Sequence, residues 1–143
     1  MSDDEKTIST QIERWAQAVH RGDMDAVLAD RSPDIVMFDV PPPQNGVRGI
    51  DAYRASWPSF FEWQAAGALF ELVALEVAAG ADTAFAHALL RCGTPDDLAT
   101  NPDNRLRITF GLRKEGERWL VTHEHHSFPD VSPADPDADA AQA

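Results

Sequence analysis

The apolar positions near the N-terminus repeat with the spacing of an α-helix. They form one stripe on a helical projection: Ile8, Ile12, Trp15, Ala16 and Val19. This pattern predicts an amphipathic helix from about Thr7 to His20. Gly22 suits the left-handed conformation that ends a helix, and Asp23 suits the N-cap of a second, short helix that contains Val27.

A strand and an aromatic helix are predicted next. The run from Ile35 to Val40 is mostly apolar on both faces, which is typical of a buried strand, and three prolines from Pro41 to Pro43 end it. Apolar and aromatic residues from Ile50 to Phe61 favour a third helix. This helix is kinked or restarted at Pro58, because proline lacks the amide donor.

In the second half of the chain, apolar and polar residues alternate as they do in β-strands. The strand candidates are Phe70 to Ala79, Thr83 to Cys92, Arg105 to Lys114 and Arg118 to Phe128. The segment from Gly93 to Asn104 is predicted to be a polar loop. Three helices followed by mostly antiparallel strands indicate an α+β domain, in which the helices close one face of a curved sheet around a cone-shaped pocket.

The last strand carries three histidines and a glutamate in four consecutive positions. Because a strand alternates faces, one side is expected to hold Trp119, Val121, His123, His125 and Ser127. The other side is expected to hold Leu120, Thr122, Glu124 and His126. One segment therefore supplies two separate polar surfaces, either of which could line the pocket.

Length and charge narrow the class of protein. The chain has 143 residues, which fits one domain over residues 1–129, followed by an acidic tail over residues 130–143 that is predicted to be disordered. The formal net charge is -12, and there is no basic patch. Binding to nucleic acid or to an anionic membrane is therefore not expected.

Several kinds of site and location find no support in the sequence. Cys92 is the only cysteine, and no signal peptide or spanning segment is visible, so we expect a cytoplasmic protein. No glycine-rich phosphate-binding motif appears, and no cofactor is predicted. His123 and His125 share a face as two metal ligands could, but no third ligand is evident, so no metal site is predicted.

The order of elements resembles the nuclear transport factor 2 superfamily, and the motifs resemble its SnoaL-like and ketosteroid isomerase-like branch. The resemblance rests on Gly22-Asp23, Ser32-Pro33-Asp34, Gly49 with Tyr53 and Trp57, Thr109 with Lys114 and Gly116, and Trp119 followed by His123, His125 and Ser127. It implies a cone-shaped, cystatin-like roll. It also implies a homodimer formed through the outer face of the sheet, where His123, His125 and Ser127 would be buried.

The ketosteroid isomerase relatives use an aspartate on the first long strand as proton shuttle, and the resemblance carries this role to Asp39. The alternative for Asp39 is a structural cap on the turn that follows. Two positions depart from those enzymes: Trp15 stands in place of the tyrosine of the oxyanion hole, and an apolar residue near Leu106 or Ile108 stands in place of the proton-donating acid. Steroid isomerisation is therefore not expected.

The chain is also similar to the association domain of calcium/calmodulin-dependent kinase II. That resemblance implies that Phe110 and His126 point into the pocket. The isomerase resemblance implies the same for Thr122, Glu124 and His126. We therefore predict Asp39 and His126 as the catalytic pair, with His126 oriented by Glu124. The predicted ligand-binding residues are Trp15, Trp57, Phe61, His87, Arg91, Phe110 and Glu124. The alternative is that the aromatic residues belong to the core and that Glu124 and His126 are polar core residues with satisfied hydrogen bonds.

Two functions remain open from the sequence. One is a small-molecule-binding homodimer that catalyses isomerisation, cyclisation or dehydration by proton transfer next to a carbonyl. The other is a non-catalytic association or ligand-sensing module, since this fold hosts both roles.

Overall fold

The computed structural model describes residues 1–132 of the chain and has the α+β architecture that the sequence predicts. The helices are α1 (Asp3–Arg21), α2 (Met24–Leu28), α3 (Ile50–Ala55), α4 (Trp57–Ala65) and α5 (Pro95–Thr100). The strands are β1 (Arg31–Phe38), β2 (Val47–Arg48), β3 (Leu69–Ala79), β4 (Thr83–Gly93), β5 (Leu106–Glu115) and β6 (Arg118–Ser127). All but the first three residues of the predicted disordered tail lie outside the described residues.

Helix α1 is longer than its apolar stripe. It begins four residues before Thr7, because the Ser2 hydroxyl accepts from the Glu5 amide while the Glu5 carboxylate accepts from the Ser2 amide. Gly22 ends the helix in the left-handed conformation, at φ 70°. The stripe around Trp15 is buried against the inner face of the sheet.

The six strands form one sheet in the order β2-β1-β6-β5-β4-β3. The four long strands from β3 to β6 pair antiparallel with their neighbours in this order, whereas β1 and β6 run parallel. In the parallel register Met37 lies beside Glu124, and Phe38 lies beside His125. Because β1 and β6 run in the same direction, Asp39 and His126 lie at the same end of the sheet.

A β-bulge interrupts the alternation of β6. Leu112 of β5 pairs with Val121 and Gly111 pairs with His123, so Thr122 is one extra residue on β6. Trp119 and Val121 are consequently buried on the same face as Glu124 and His126. The predicted grouping of Trp119 and Val121 with His123 and His125 is wrong for this reason.

Two further details concern the predicted helix around Pro58 and the predicted polar loop. The aromatic segment forms two helices, α3 and α4, with Ser56 between them, so the helix restarts one residue before Pro58 and is not merely kinked there. The predicted polar loop contains α5, which Thr94 caps by accepting from the Asp97 amide while Pro95 begins the helix. No helix among residues 1–132 is long and apolar enough to cross a membrane.

Candidate functional site

A cavity of about 590 Å³ opens between α4, α5, the end of β1 and the end of β6. Its apolar wall comes from Val40, Pro41, Trp57, Phe60, Trp63, Phe70, Leu106, Phe128 and Val131. Its polar or small lining residues are Asp39, Ser56, Ser59, Cys92, Gly93, Asp97, Asn101, Asn104 and His126. The exposed surface of the cavity is nevertheless mostly apolar, as is common in ligand sites.

Asp39 and His126 meet at this cavity because the parallel pairing of β1 and β6 brings their ends side by side. The Asp39 Oδ1 and His126 Nδ1 atoms are 3.8 Å apart, too far for a hydrogen bond. Asp39 Oδ1 also accepts from the Val40 amide at 2.8 Å. The carboxylate is therefore held in place by the backbone and remains partly open to the cavity, with 28% of its side chain exposed.

Beneath His126 lies a buried hydrogen-bond network centred on Glu124, whose side chain is fully buried. Glu124 Oε1 lies 2.8 Å from His126 Nε2. Glu124 Oε2 accepts from the Tyr53 hydroxyl at 2.7 Å and from Arg31 Nε at 2.9 Å. Trp15 Nε1 donates to the Tyr53 oxygen at 3.1 Å. Helices α1 and α3 and strands β1 and β6 all contribute to this network.

The direction of each hydrogen bond in the network is fixed by its chemistry. An indole nitrogen only donates and an ionised carboxylate only accepts, so Tyr53 accepts from Trp15 and donates to Glu124. By the same rule the hydrogen between Glu124 and His126 belongs to Nε2 of the imidazole. In the uncharged ring, Nδ1 then keeps its lone pair and faces Asp39 at the cavity.

Glu124 remains ionised although it is buried. Burial alone would raise the pKa of its carboxyl, but the positive charge of Arg31 and the hydrogen bonds from His126 and Tyr53 hold that pKa below its ordinary value of 4.5. The Arg31 guanidinium is itself 4.9 Å from the Trp15 ring centre, within range of a cation–π interaction. The buried positive and negative charges therefore compensate each other beneath the cavity.

Tyr53 is held in its neutral form. Burial raises the pKa of its hydroxyl above the ordinary value of 10.0, the negative charge of Glu124 adds to this shift, and Arg31 opposes it. Since the pKa is higher in the folded state than in the unfolded state, the associated stability is complete below pH 10.0 and falls as the pH rises above it.

We expect no tyrosinate absorbance from the folded protein as the pH is raised past 10.0. Tyr53 is the only tyrosine, so an ultraviolet titration reports on this hydroxyl alone. Circular dichroism at each pH identifies unfolding, and the protein in concentrated guanidinium chloride supplies the unperturbed titration. Tyrosinate that forms near pH 10.0 while the helical signal is intact would contradict the network.

Cys92 lines the cavity as an inert thiol. Burial raises the pKa of the thiol to about 12, and the negative charges of Asp39 and Asp97 contribute to the shift. We expect the folded protein to react with a thiol-specific disulfide reagent at least about tenfold more slowly than the unfolded protein at about pH 8. Cys92 is the only cysteine, so release of the reagent's chromophore measures it directly; equal rates would contradict the expectation.

Several predicted ligand-binding residues lie below the cavity instead of at its surface. Trp15, Phe110 and Glu124 belong to the buried core under His126, where the rings of Trp15 and Phe110 pack edge to face. Phe61 is stacked on Trp57, and only Trp57 of these two lines the cavity. The expectation that all five would contact a ligand is corrected, because a second layer of side chains supports the cavity.

His87 and Arg91 lie on the opposite face of the sheet from the cavity. Strand β4 turns Ala86, Ala88 and Leu90 inward, so its odd-numbered positions face outward. His87 Nε2 lies 3.2 Å from the Glu76 carboxylate, and Arg91 lies 3.9 Å from Glu71. Their predicted placement in the pocket is therefore wrong. The register shift between β3 and β4 places its extra residue, Val73, on β3, so β4 keeps its alternation up to Arg91.

The outer histidines of β6 form a separate group. His123 and His125 pack against the ring of Phe38, at centroid distances of 5.1 and 5.7 Å. His123 Nδ1 is also 2.6 Å from the Val36 carbonyl oxygen. Among residues 1–132, no three His, Cys, Asp or Glu side chains are grouped so that they could hold a metal ion.

Sequence reasoning did not identify Arg31 or Tyr53 as partners of Glu124. Arg31 lies 93 positions before Glu124 and Tyr53 lies 71 positions before it, so no local pattern connects them. The only signal for Arg31 is its position between the short helix that contains Val27 and the predicted strand from Ile35 to Val40, since its neighbours Asp30 and Ser32 are polar. A lone arginine between a helix and a buried strand is a candidate for a buried ion pair.

The amino-acid sequence matches a known protein family. The sequence model of a family described as "SnoaL-like domain" matches residues 8–131. A search of curated proteins gives no match.

Solved structures with the same fold are numerous. An NTF2-like protein of unknown function from Pseudomonas putida KT2440 is 37% identical, with a TM-score of 0.77 over 94% of this chain and 90% of that chain. An NTF2-like protein with a cystatin-like fold from Novosphingobium aromaticivorans is 19% identical, with a TM-score of 0.70 over 96% and 88%. A ketosteroid isomerase-like protein from Erwinia carotovora atroseptica SCRI1043 is 22% identical, with a TM-score of 0.66 over 93% and 100%.

Proposed function

The chain belongs to the SnoaL-like domain family of NTF2-like proteins, and from that membership we propose that it binds a small apolar carbonyl compound and transfers a proton next to the carbonyl. Asp39 is the proton acceptor in this proposal, and His126 is its partner. The reaction class is isomerisation, cyclisation or dehydration, with no nucleotide cofactor.

The observation that carries the proposal is the pair of proton acceptors at the polar end of an apolar cavity. Asp39 Oδ1 and His126 Nδ1 are 3.8 Å apart, and both residues line the cavity. Glu124 fixes the imidazole from behind through Nε2, so Nδ1 is oriented before any ligand arrives. A carboxylate and an oriented imidazole within reach of one bound molecule are the groups that general acid–base catalysis needs.

The proposed step conserves atoms and charge. Asp39 takes a proton from the carbon beside the carbonyl, and the electrons of that C–H bond form an enolate. The carboxylic acid of Asp39 then returns the proton to another carbon or passes it to His126 Nδ1, which is 3.8 Å away. Isomerisation needs no further reactant, because the same proton leaves and re-enters the ligand.

The enolate oxygen requires hydrogen-bond donors, and those of the steroid isomerases are not available here. Trp15 Nε1, at the position predicted from the oxyanion-hole tyrosine, donates to Tyr53 inside the core. Leu106 supplies no donor to the cavity wall. In the proposal this role falls to the side-chain amides of Asn101 and Asn104, which line the same cavity.

The experiment that tests the proposal is deuterium exchange of a model ketone. 1-Phenylpropan-2-one in D₂O exchanges the hydrogens beside its carbonyl, and proton NMR measures the rate with and without the protein. Catalysed exchange that saturates with ketone supports proton transfer. Native mass spectrometry that finds a retained small molecule, with no exchange of any ketone in a panel, favours the ligand-sensing alternative.

A homodimer is part of the proposal, because large apolar side chains on the outer face of the sheet are exposed. Phe85 is 54% exposed, Leu89 41% and Phe38 38%. We expect native mass spectrometry to show a dimer, and Phe85→Glu to convert it to monomer because burial of an unpaired charge is costly. Gln17→Glu on the exposed side of α1 is the matched control and leaves the dimer intact. A wild-type monomer at micromolar concentration would contradict the prediction.

A further inference from the structure

The charged side chains that line the cavity are all acidic. Asp39 and Asp97 both line it, and no lysine or arginine of residues 1–132 does so. Arg31 lies deeper, where the Glu124 carboxylate at 2.9 Å compensates its charge. An anionic ligand would therefore face two carboxylates with no cation to offset them, whereas a cationic ligand would meet a favourable potential.

A group of aromatic rings forms one wall of the cavity. The Phe60 ring is 5.5 Å from Trp57, 5.3 Å from Trp63 and 5.6 Å from Phe70, measured between ring centroids. All four residues line the cavity. Their apolar surface suits a hydrophobic body, and aromatic rings also attract an ammonium group through cation–π interactions.

A ring nitrogen of His126 also lies at the cavity without a hydrogen-bond partner among residues 1–132. His126 is only 6% exposed, and its Nδ1 makes no hydrogen bond within the described part of the chain, since only Nε2 is bonded, to Glu124. In its uncharged form the imidazole presents a lone pair next to the Asp39 carboxylate. A ligand with a hydrogen-bond donor would satisfy this end of the cavity better than a ligand with acceptors alone.

We infer that the cavity takes an apolar molecule that carries a protonated amine, and that it rejects carboxylates. The inference rests on the proposed function, of which it names the substrate class. Asp97 and the aromatic wall recognise the ammonium group, so Asp39 and His126 remain available for the proton transfer.

Asp97 is suited to charge recognition because it is held in place by the backbone. Its Oδ2 accepts from the Thr94 amide at 3.1 Å, in the capping box of α5. It packs against Gly93, where an added Cβ would lie 3.2 Å from the Asp97 Cβ. Its charge reaches the cavity floor, since together with Asp39 it contributes to the raised pKa of the Cys92 thiol.

Three probes of equal apolar size separate charge from hydrophobicity: 2-phenylethylamine, 2-phenylethanol and phenylacetate. Calorimetry and quenching of tryptophan fluorescence measure their dissociation constants at about pH 7. We expect the amine to bind about tenfold more tightly than the alcohol, and the carboxylate to bind more weakly than both.

Asp97→Asn identifies the recognising carboxylate, because asparagine keeps the oxygen that accepts from Thr94. We expect it to weaken amine binding about threefold and to leave alcohol binding unchanged. Asp96→Asn is the matched control, one residue away on α5, exposed and outside the cavity lining, and it changes neither.

Equal binding of amine and alcohol, tighter binding of phenylacetate, or no binding of the amine at millimolar concentration would overturn the inference. So would identical effects of Asp97→Asn and Asp96→Asn. Exchange of the uncharged ketone is measured separately. If the protein prefers the amine but does not catalyse exchange, the inferred ligand class is supported and the proposed proton transfer is contradicted. If it catalyses exchange but shows no preference for the amine, the proton transfer is supported and the inferred ligand class is contradicted.

Discussion

Replacement of Glu124 by glutamine is expected to lower the free energy of unfolding by about 3–5 kcal/mol, the usual cost of removing one partner from a buried ion pair. The substitution leaves the Arg31 guanidinium buried with no opposite charge, although its Nε remains 2.9 Å from the former carboxylate oxygen. It also weakens the hydrogen bonds from Tyr53 and His126. Urea unfolding followed by circular dichroism measures the change.

Glu71→Gln is the matched control, because Glu71 faces Arg91 at 3.9 Å on the exposed outer face of the sheet. An exposed pair of this kind contributes at most about 1 kcal/mol. In the double variant Arg31→Met with Glu124→Gln, much of the stability should return, since no buried charge is left unpaired. A cost for Glu124→Gln no larger than that for Glu71→Gln would show that the pair is not structurally important.

The buried ion pair of Arg31 and Glu124 also predicts that the protein becomes less stable in acid. The folded-state pKa of Glu124 lies below its ordinary value of 4.5, so the associated stability is complete above pH 4.5 and is lost as the pH falls through the folded-state pKa. In the double variant this part of the acid dependence should disappear.

Replacement of Asp39 by asparagine is expected to slow ketone exchange by about 10²–10⁴-fold, the usual contribution of a general base. The amide has nearly the same shape, and its oxygen can still accept from the Val40 amide, as the Asp39 carboxylate does at 2.8 Å. The thermal midpoint should therefore change little. Proton NMR in D₂O measures the exchange, and differential scanning calorimetry measures the stability.

Asp97→Asn serves as the control for this loss, because it removes a second carboxylate from the same cavity, one that accepts from the Thr94 amide at the start of α5. Its exchange rate with the uncharged ketone should remain within about threefold of the wild type. If Asp39→Asn lowers stability substantially and leaves exchange unchanged, then Asp39 only caps the turn from Pro41 to Pro43, as the alternative interpretation holds.

The fold was predictable because most of its signals are local. The helical stripe that contains Trp15, the proline stop after Val40 and the alternation of β5 each require only a few neighbouring residues. Helix α5 was missed although its capping signal is equally local. The polar composition of residues 93–104 outweighed the Thr94-Pro95 start in the sequence interpretation.

The site was less predictable, because its partners are brought together by tertiary packing. Asp39 and His126 were paired through a resemblance, and the parallel register of β1 and β6 explains their proximity. The role of Arg31 depends on a contact across 93 positions, which periodicity cannot reveal. His87 and Arg91 were misplaced because alternation gives two faces without saying which one is inside.

The extra residue at Thr122 makes the last strand tolerant of one particular deletion. Loss of that single codon would leave Trp119 and Glu124 four residues apart, so strict alternation would still place both on the inner face. Glu124 would keep its ion pair with Arg31, whereas loss of His125 would turn His126 away from the cavity. In descent, single deletions should therefore be tolerated at the bulge and be far rarer at His125.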